Sequence, residues 1–254
     1  MKFSACIEML FVNETDSHAE RIKLAREAGL DAVEFWRWVN KDIDIIEQAL
    51  KDNNIKLAAM IAEPMLDLTK QENIEPYLNA IDASVKTAQR LGANILIAQS
   101  GNRDISRSFH DQRSCLVQTL QAVGKQLEGT GVKLALEPLN TRYDHPGYFL
   151  NSTVEALDII DEVNSANIGL LYDVYHSMVM DEHPATVIGN RVDRILHIHI
   201  ADHPGRNEPG SGILDLKTSL NWLADNGYNG LIGLEYRPTK ATTKTLDKIY
   251  NILK

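Results

Sequence analysis

The 254-residue sequence predicts an α/β fold, a single (β/α)8 TIM barrel spanning residues 1–254. Three observations point there. Short runs rich in Ile, Val and Leu alternate with longer segments of helical periodicity. Eight such pairs fill about 250 residues, the usual size of one barrel. No Pro-, Gly- or Ser-rich linker divides them. Alternating strand and helix imply parallel strands joined by helical crossovers. An open doubly wound sheet is the alternative, but no glycine-rich phosphate turn follows the first strand.

In chain order, strands are expected at 2–9, 31–36, 55–62, 94–99, 132–137, 168–173, 194–201 and 230–236. Helices are expected at 17–29, 42–53, 72–92, 107–130, 151–163, 216–227 and 240–253, with a short one near 184–191. Gly29 and Gly92 stop two of them, and Ser152 or Thr153 caps the helix at 151–163.

Composition narrows the function classes. Hydrophobic residues make up 44% and charged residues 24%, as in ordinary globular chains. Cys6 and Cys115, each in an apolar segment, do not make a disulfide scaffold, which fits a reducing cytoplasmic setting. The opening "MKFSACIEMLF" is interrupted by Glu8 and lacks a signal-peptide pattern. No stretch approaches the roughly 18 apolar residues of a membrane span. The formal net charge is −9, with no Lys/Arg run or basic stripe, so neither nucleic acid nor membrane is an expected partner. An anionic substrate would need local cations to hold it. The helix-rich exterior permits a homo-oligomer.

The chemistry lies at the strand ends. In a barrel strand, alternate side chains face the interior and the helices. In "LALE", Leu134 and Leu136 share one face, Ala135 and Glu137 the other. In "IGLLYD", Ile168, Leu170 and Tyr172 oppose Gly169, Leu171 and Asp173. In "ILHIHI", Leu196, Ile198 and Ile200 oppose His197 and His199, and in "LIGLE", Ile232 and Leu234 oppose Gly233 and Glu235. The large apolar set faces the helices. The interior set ends in Glu137, Asp173, His199 and Glu235, each at the C-terminal strand end where barrel enzymes place their chemistry.

Taken singly, each has a plain structural account: Glu137 a turn cap, Asp173 an acceptor for loop amides, His199 a satisfied core histidine, Glu235 half of a buried ion pair. Together, three carboxylates and an imidazole in one crevice repel and desolvate one another unless a cation joins them. One divalent metal ion resolves the conflict. Oxygen-rich ligation favours Mn²⁺ or Mg²⁺, and Co²⁺ or Zn²⁺ also suit.

Four segments carry a family resemblance: "EPLNTRYDHPGYFLNS" (137–152), "YDVYH" (172–176), "HIHIADHPGRNEPGSG" (197–212) and "GLEYRP" (233–238). With "EMLF" (8–11) and "AGLDAVEFW" (28–36), they resemble the hydroxypyruvate isomerase family of the xylose isomerase-like TIM-barrel superfamily. The resemblance implies one divalent metal on Glu137, Asp173, His199 and Glu235. It implies proton transfer by Glu137 and Glu235, and substrate contacts at His176 and Arg206. Two departures bear on the substrate. Many members carry Gln where this chain has His199, whereas ketose epimerases carry His. The segment "IAEPMLDLT" (61–69) lacks the Asn-x-Pro-Ala-Gly-Asp-Trp pattern associated with hydroxypyruvate enzymes.

The reaction expected is isomerisation through an enediolate, hydroxypyruvate to tartronate semialdehyde. Alternatives are a ketose 3-epimerase of the tagatose/psicose type, a 2-oxo-tetronate isomerase and a non-catalytic sugar-binding barrel. Three carboxylates and a divalent metal leave the site about one negative charge, so an acidic substrate requires a cation. Arg206 is the expected anchor, unless it pairs with Glu208. His176, Asn140 and Gln99 are expected to hydrogen-bond a small sugar or sugar-acid substrate, and Trp36 to pack on it. His197 is expected as a satisfied core group, and His145 and His203 as loop residues. A multi-zinc DNA-repair endonuclease shares this barrel, but the cluster holds one clear strand-end histidine.

Overall fold

Eight parallel strands pair in sequence order, and the eighth returns to the first. In this computed structural model, which describes residues 1–253, the strands are β1 (Lys2–Cys6), β2 (Ala32–Phe35), β3 (Lys56–Ile61), β4 (Ile95–Gln99), β5 (Lys133–Glu137), β6 (Ile168–Asp173), β7 (Ile195–Ile200) and β8 (Leu231–Leu234). The crossovers carry α1 (His18–Glu27), α2 (Ile43–Asp52), α3 (Ile74–Leu91), α4 (Phe109–Gln126) and α5 (Thr153–Val163). Then come α6 (Val174–Val179), α7 (Pro184–Val187), α8 (Leu216–Asp225) and α9 (Thr242–Leu253). No helix among the described residues is long and apolar enough to cross a membrane. Cys6 and Cys115 are free and buried.

Where observed boundaries differ from the expected ones, local backbone chemistry explains it. The first strand stops at Cys6, because residues 7–14 form turns and Phe11 takes φ 62°. The helix expected to reach 130 ends at Gln126, before positive-φ turns at Gly129 and Gly131. The helix at 184–191 shrinks to Pro184–Val187, with Gly189 at positive φ. The sequence pattern missed α6. Asp173 alone separates the apolar run of β6 from "VYHSMV", with no Gly or Pro between strand and helix. Asp173 makes the switch: its carboxylate accepts the His176 backbone N–H at 3.1 Å and caps α6.

Two apolar layers result. The larger lies between sheet and helices and includes Leu134, Leu136, Ile198, Ile200 and Leu234. The smaller fills the barrel itself: Ala59, Ile61, Ile97, Ala135 and Leu171. One expected orientation is wrong. Leu196 packs on the interior cluster, not toward the helices. The β6–β7 register shifts there, pairing Leu170 with Ile195 but Leu171 with His197. Leu196 is the extra residue of a bulge, which breaks strict alternation. Gly169 permits it, since a Cβ there would lie 2.6 Å from Leu196 Cγ. The interior plug gives the polar groups above it an apolar floor.

Candidate metal centre and active site

Glu137 ends β5, Asp173 ends β6, His199 lies near the end of β7, and Glu235 follows β8. All four are buried, and each offers a donor atom within 4.8 Å of the others. Closure of the barrel is what gathers them, because neighbouring strands end at the same height. His199 Nδ1 lies 3.5 Å from Glu137 Oε1 and 3.4 Å from Glu235 Oε2. Neither imidazole nitrogen of His199 has a hydrogen-bond partner. Burial pushes the Asp173 carboxyl up, against the opposing pull of Arg206 and His199. Burial acts to lower the His199 pKa, but Glu34 and Glu235 outweigh it and hold it well above its ordinary value. This is what crowded anions do to the one imidazole among them.

The donor set fits a divalent cation. Three carboxylate oxygens and one unpartnered imidazole nitrogen converge in a buried crevice, and oxygen-rich ligation of this kind suits a hard divalent ion.

The two glutamates are not equivalent. Trp36 Nε1 donates to Glu235 Oε1 at 2.7 Å, and the Cys6 thiol lies 3.8 Å from the same oxygen. Arg206 Nη2 donates to Glu235 Oε2. Although burial opposes ionisation, Arg206 and His199 hold the Glu235 carboxyl far below the usual carboxylate range. Glu137 has no comparable clamp; His199 Nδ1 is the ion-pair contact of its carboxylate.

Arg206 is therefore already engaged. It is buried, takes φ 54°, lies over the Tyr175 ring and approaches Asp173 Oδ2 at 3.9 Å. It does not pair with Glu208, which instead accepts from the backbone and hydroxyl of Thr239. The plain reading of Glu235 as half of a buried ion pair is true of this structure, and Glu235 belongs to the cluster as well.

His176 is buried and neutral. Burial, aided by Arg206, lowers its pKa to about 3. The Asn140 backbone N–H donates to His176 Nδ1 at 3.2 Å, so the ring proton belongs on Nε2. Nε2 has no partner and lies 3.6 Å from Asp173 Oδ2, on the wall of the cavity.

Asn140 stands one step back. Its Nδ2 donates to Asp144 Oδ2 at 2.7 Å, and its Oδ1 accepts the backbone N–H groups of Tyr143 and Asp144. It shapes the turn after β5 and does not line the cavity. Gln99 and Trp36 do line it. His145, expected as a plain loop residue, also forms part of the wall. His203 stays in the loop after β7, where its ring lies 4.9 Å from that of Tyr143.

The cavity over the cluster holds about 490 Å³ and is walled by Trp36, Glu137, His176, His199, Arg206 and Glu235 among others. A smaller chamber of about 230 Å³ adjoins it past Gln99, Leu139 and His145, toward Tyr77 and Asn102. Arg37 and Arg237 stand at the rim of the larger cavity. Arg37 pairs with Glu63. Arg237 is exposed, and its backbone N–H donates to the Arg206 carbonyl at 2.7 Å.

The sequence patterns missed Glu34. It lies in β2, is 2% exposed, and sits behind His199. His197, the expected core histidine, is satisfied there: its Nε2 is 2.7 Å from Glu34 Oε2.

Comparison with known proteins agrees with this architecture. The family described as xylose isomerase-like TIM barrel matches residues 22–252. A hydroxypyruvate isomerase of Escherichia coli K12 is 29% identical over 250 residues, covering 95% of each chain. A 2-oxo-tetronate isomerase of Cupriavidus necator is 35% identical over 134 residues, about half of each chain. The crystal structure of an AP endonuclease, family 2, from Brucella melitensis superposes with a TM-score of 0.91 at 28% identity, covering 99% of this chain and 98% of that one. The chain belongs to the xylose isomerase-like TIM barrel family, and it is similar over nearly its whole length to a hydroxypyruvate isomerase.

Proposed function

We propose that this protein is a divalent-metal-dependent isomerase of a small hydroxy-keto acid, converting hydroxypyruvate to tartronate semialdehyde. The coarser reading, a sugar-acid isomerase, is supported by two relatives named for such reactions. The observation that carries the finer one is the buried cluster of Glu137, Asp173, His199 and Glu235 beneath a cavity of about 490 Å³.

When bound there, a divalent ion would polarise the substrate carbonyl and its neighbouring hydroxyl. The remaining work falls to the chain. Glu137, with few partners, is free to take a proton from the hydroxymethyl carbon and return it to the former carbonyl carbon, while the hydroxyl proton passes from one substrate oxygen to the other. Glu235, fixed by Trp36 and Arg206, stays an anion and holds its place. His176 offers its Nε2–H to a substrate oxygen. Arg206 supplies positive charge from the cavity wall, already shared with Glu235, and Arg237 offers its guanidinium at the rim. Gln99 reaches a distal oxygen. The apolar floor and the indole of Trp36 keep water from the reacting carbons.

The cavity is roomier than a three-carbon acid needs, and the side chamber extends it. That favours one second reading, a four-carbon 2-oxo acid or a ketose in the same site. The acidic cluster and the net charge of −9 count against a phosphodiester substrate. The test is to strip the protein with chelator, restore Mn²⁺ or Mg²⁺, and offer hydroxypyruvate, 2-oxo-tetronate and D-tagatose in parallel. Turnover of hydroxypyruvate that returns with metal is expected. Turnover of the neutral ketose alone would replace this reading with an epimerase. Metal binding without turnover of, or solvent-proton exchange into, any of the three would favour a binding protein.

A further inference from the structure

We infer that Glu34 is the positioning residue of the metal centre. It holds His199 with Nε2–H turned to β2 and the Nδ1 lone pair turned to Glu137, Asp173 and Glu235. The inference rests on the metal reading above and adds a residue to it.

Imidazole has two edges, and in His199 both face carboxylates. The Nδ1 edge faces Glu137 and Glu235 at 3.5 and 3.4 Å, and the Nε2 edge faces Glu34 Oε1 at 3.1 Å. A ring that ligates a metal is neutral and carries one proton. On Nδ1 it would block the donor that the cluster needs and leave the Nε2 lone pair against the Glu34 carboxylate. On Nε2 it meets Glu34 and frees Nδ1. Glu34 therefore selects the tautomer, as outer carboxylates do for metal-bound histidines.

Glu34 is itself held for this task. Its Oε2 accepts the Ser4 hydroxyl at 3.0 Å and lies 2.7 Å from His197 Nε2. That leaves Oε1, which has no hydrogen-bond partner, for His199. The strand register sets Glu34 one pleat above the glycine: Gly233 pairs with His199 on one side and Ser4 on the other, and Glu34 pairs with Cys6, two residues past Ser4. Gly233 is the gap through which the two side chains meet. A Cβ there would collide with Glu34 Oε1 and His199 Cδ2. The glycine is thus explained by the contact, not by backbone conformation.

Glu34, His197 and His199 also bring three donor atoms within 4.8 Å, which raises a second cation as the rival. At 2.7 Å, Glu34 and His197 already satisfy each other by a hydrogen bond. The pair reads as a support.

Two measurements decide it. The first is a long-range ¹H–¹⁵N spectrum of histidine-labelled protein loaded with Zn²⁺. Ligation through Nδ1 with a proton on Nε2 is expected for His199. Ligation through Nε2, or more than one zinc per chain, would overturn the proposal. The second is zinc affinity by chelator competition in Glu34→Gln. The carboxamide has one acceptor oxygen for two imidazole N–H groups, so affinity is expected to fall about 10- to 100-fold. Unchanged affinity would sink the proposal and leave the metal reading standing. Failure of the unmodified protein to bind zinc, manganese or magnesium would sink both. If Glu34→Gln does not fold, the spectrum of the unmodified protein still decides.

Discussion

The two halves of the barrel mouth do different work. Strands β5 to β8 supply all four candidate ligands, and β1 to β4 supply none. The groups behind those ligands come from β1 and β2 and the residue that follows: Ser4, Cys6, Glu34 and Trp36. One half offers donor atoms to the cavity, and the other fixes how those donors are turned. A site of crowded anions needs both, because an unoriented carboxylate or imidazole binds a cation weakly.

The largest expected effect separates the two glutamates of the ligand half. Glu137→Gln should lower kcat about 10³-fold at saturating metal, the scale of a lost general base. Glu235→Gln should act first on metal affinity, because its carboxylate is clamped by Trp36 and Arg206 and does not travel. Initial rates against metal concentration distinguish the two. Equal losses of kcat and affinity in both variants would erase the proposed division of labour.

The halves also differed in how far they could be foreseen. Glu137, Asp173, His199 and Glu235 are legible because each ends a short alternating strand, and period two alone assigns them a face. Glu34 lies inside "AVEF", where a single acid looks like any half-exposed strand position. Only the closing of β8 onto β1, with the gap left by Gly233, brings it to His199. Leu196 was misassigned for a related reason: a bulge depends on the partner strand's register, which one strand's pattern does not contain. Asn140 does follow a strand end, yet its amide is taken up by its own turn and by His176 Nδ1, 2.6 Å from its Nδ2. Sequence periodicity gives the face a residue points to, but not what already occupies its hydrogen bonds.

The supporting half should register in stability more than in turnover. Glu8 ties the loop after β1 to Lys41 after β2, and the Lys41 side chain is 1% exposed. Glu8 also lies 3.4 Å from His18 Nε2. Glu8→Gln should cost about 2 kcal/mol at pH 7, the scale of a hydrogen bond to a charged group. Burial would raise the Glu8 pKa, but Lys41 prevails and holds it below its ordinary value. A depressed carboxyl stabilises above its unfolded pKa, about 4.3, and loses that contribution as pH falls through the folded value. Urea midpoints of the two proteins should therefore converge below about pH 4. A gap that persists in acid would mean that packing, not charge, is lost.

The smallest effect sharpens the account of the ligand half at its rim. Arg237 is exposed, lines the cavity mouth, and sits two residues past Glu235 with its backbone tied to Arg206. An exposed charge contact is worth about 0.2–1 kcal/mol, which corresponds to less than about a sixfold change in KM. Arg237→Gln should raise KM for an acidic substrate by about two- to fivefold, with kcat unchanged. A surface substitution of this kind should move stability by less than about 0.5 kcal/mol. The discriminating control is KM for a neutral ketose, where any turnover is measurable, and it should not move. If it rises by the same factor, Arg237 shapes the entrance without sensing charge. The burden of holding a substrate carboxylate then returns to Arg206, the cation that Glu235 already shares.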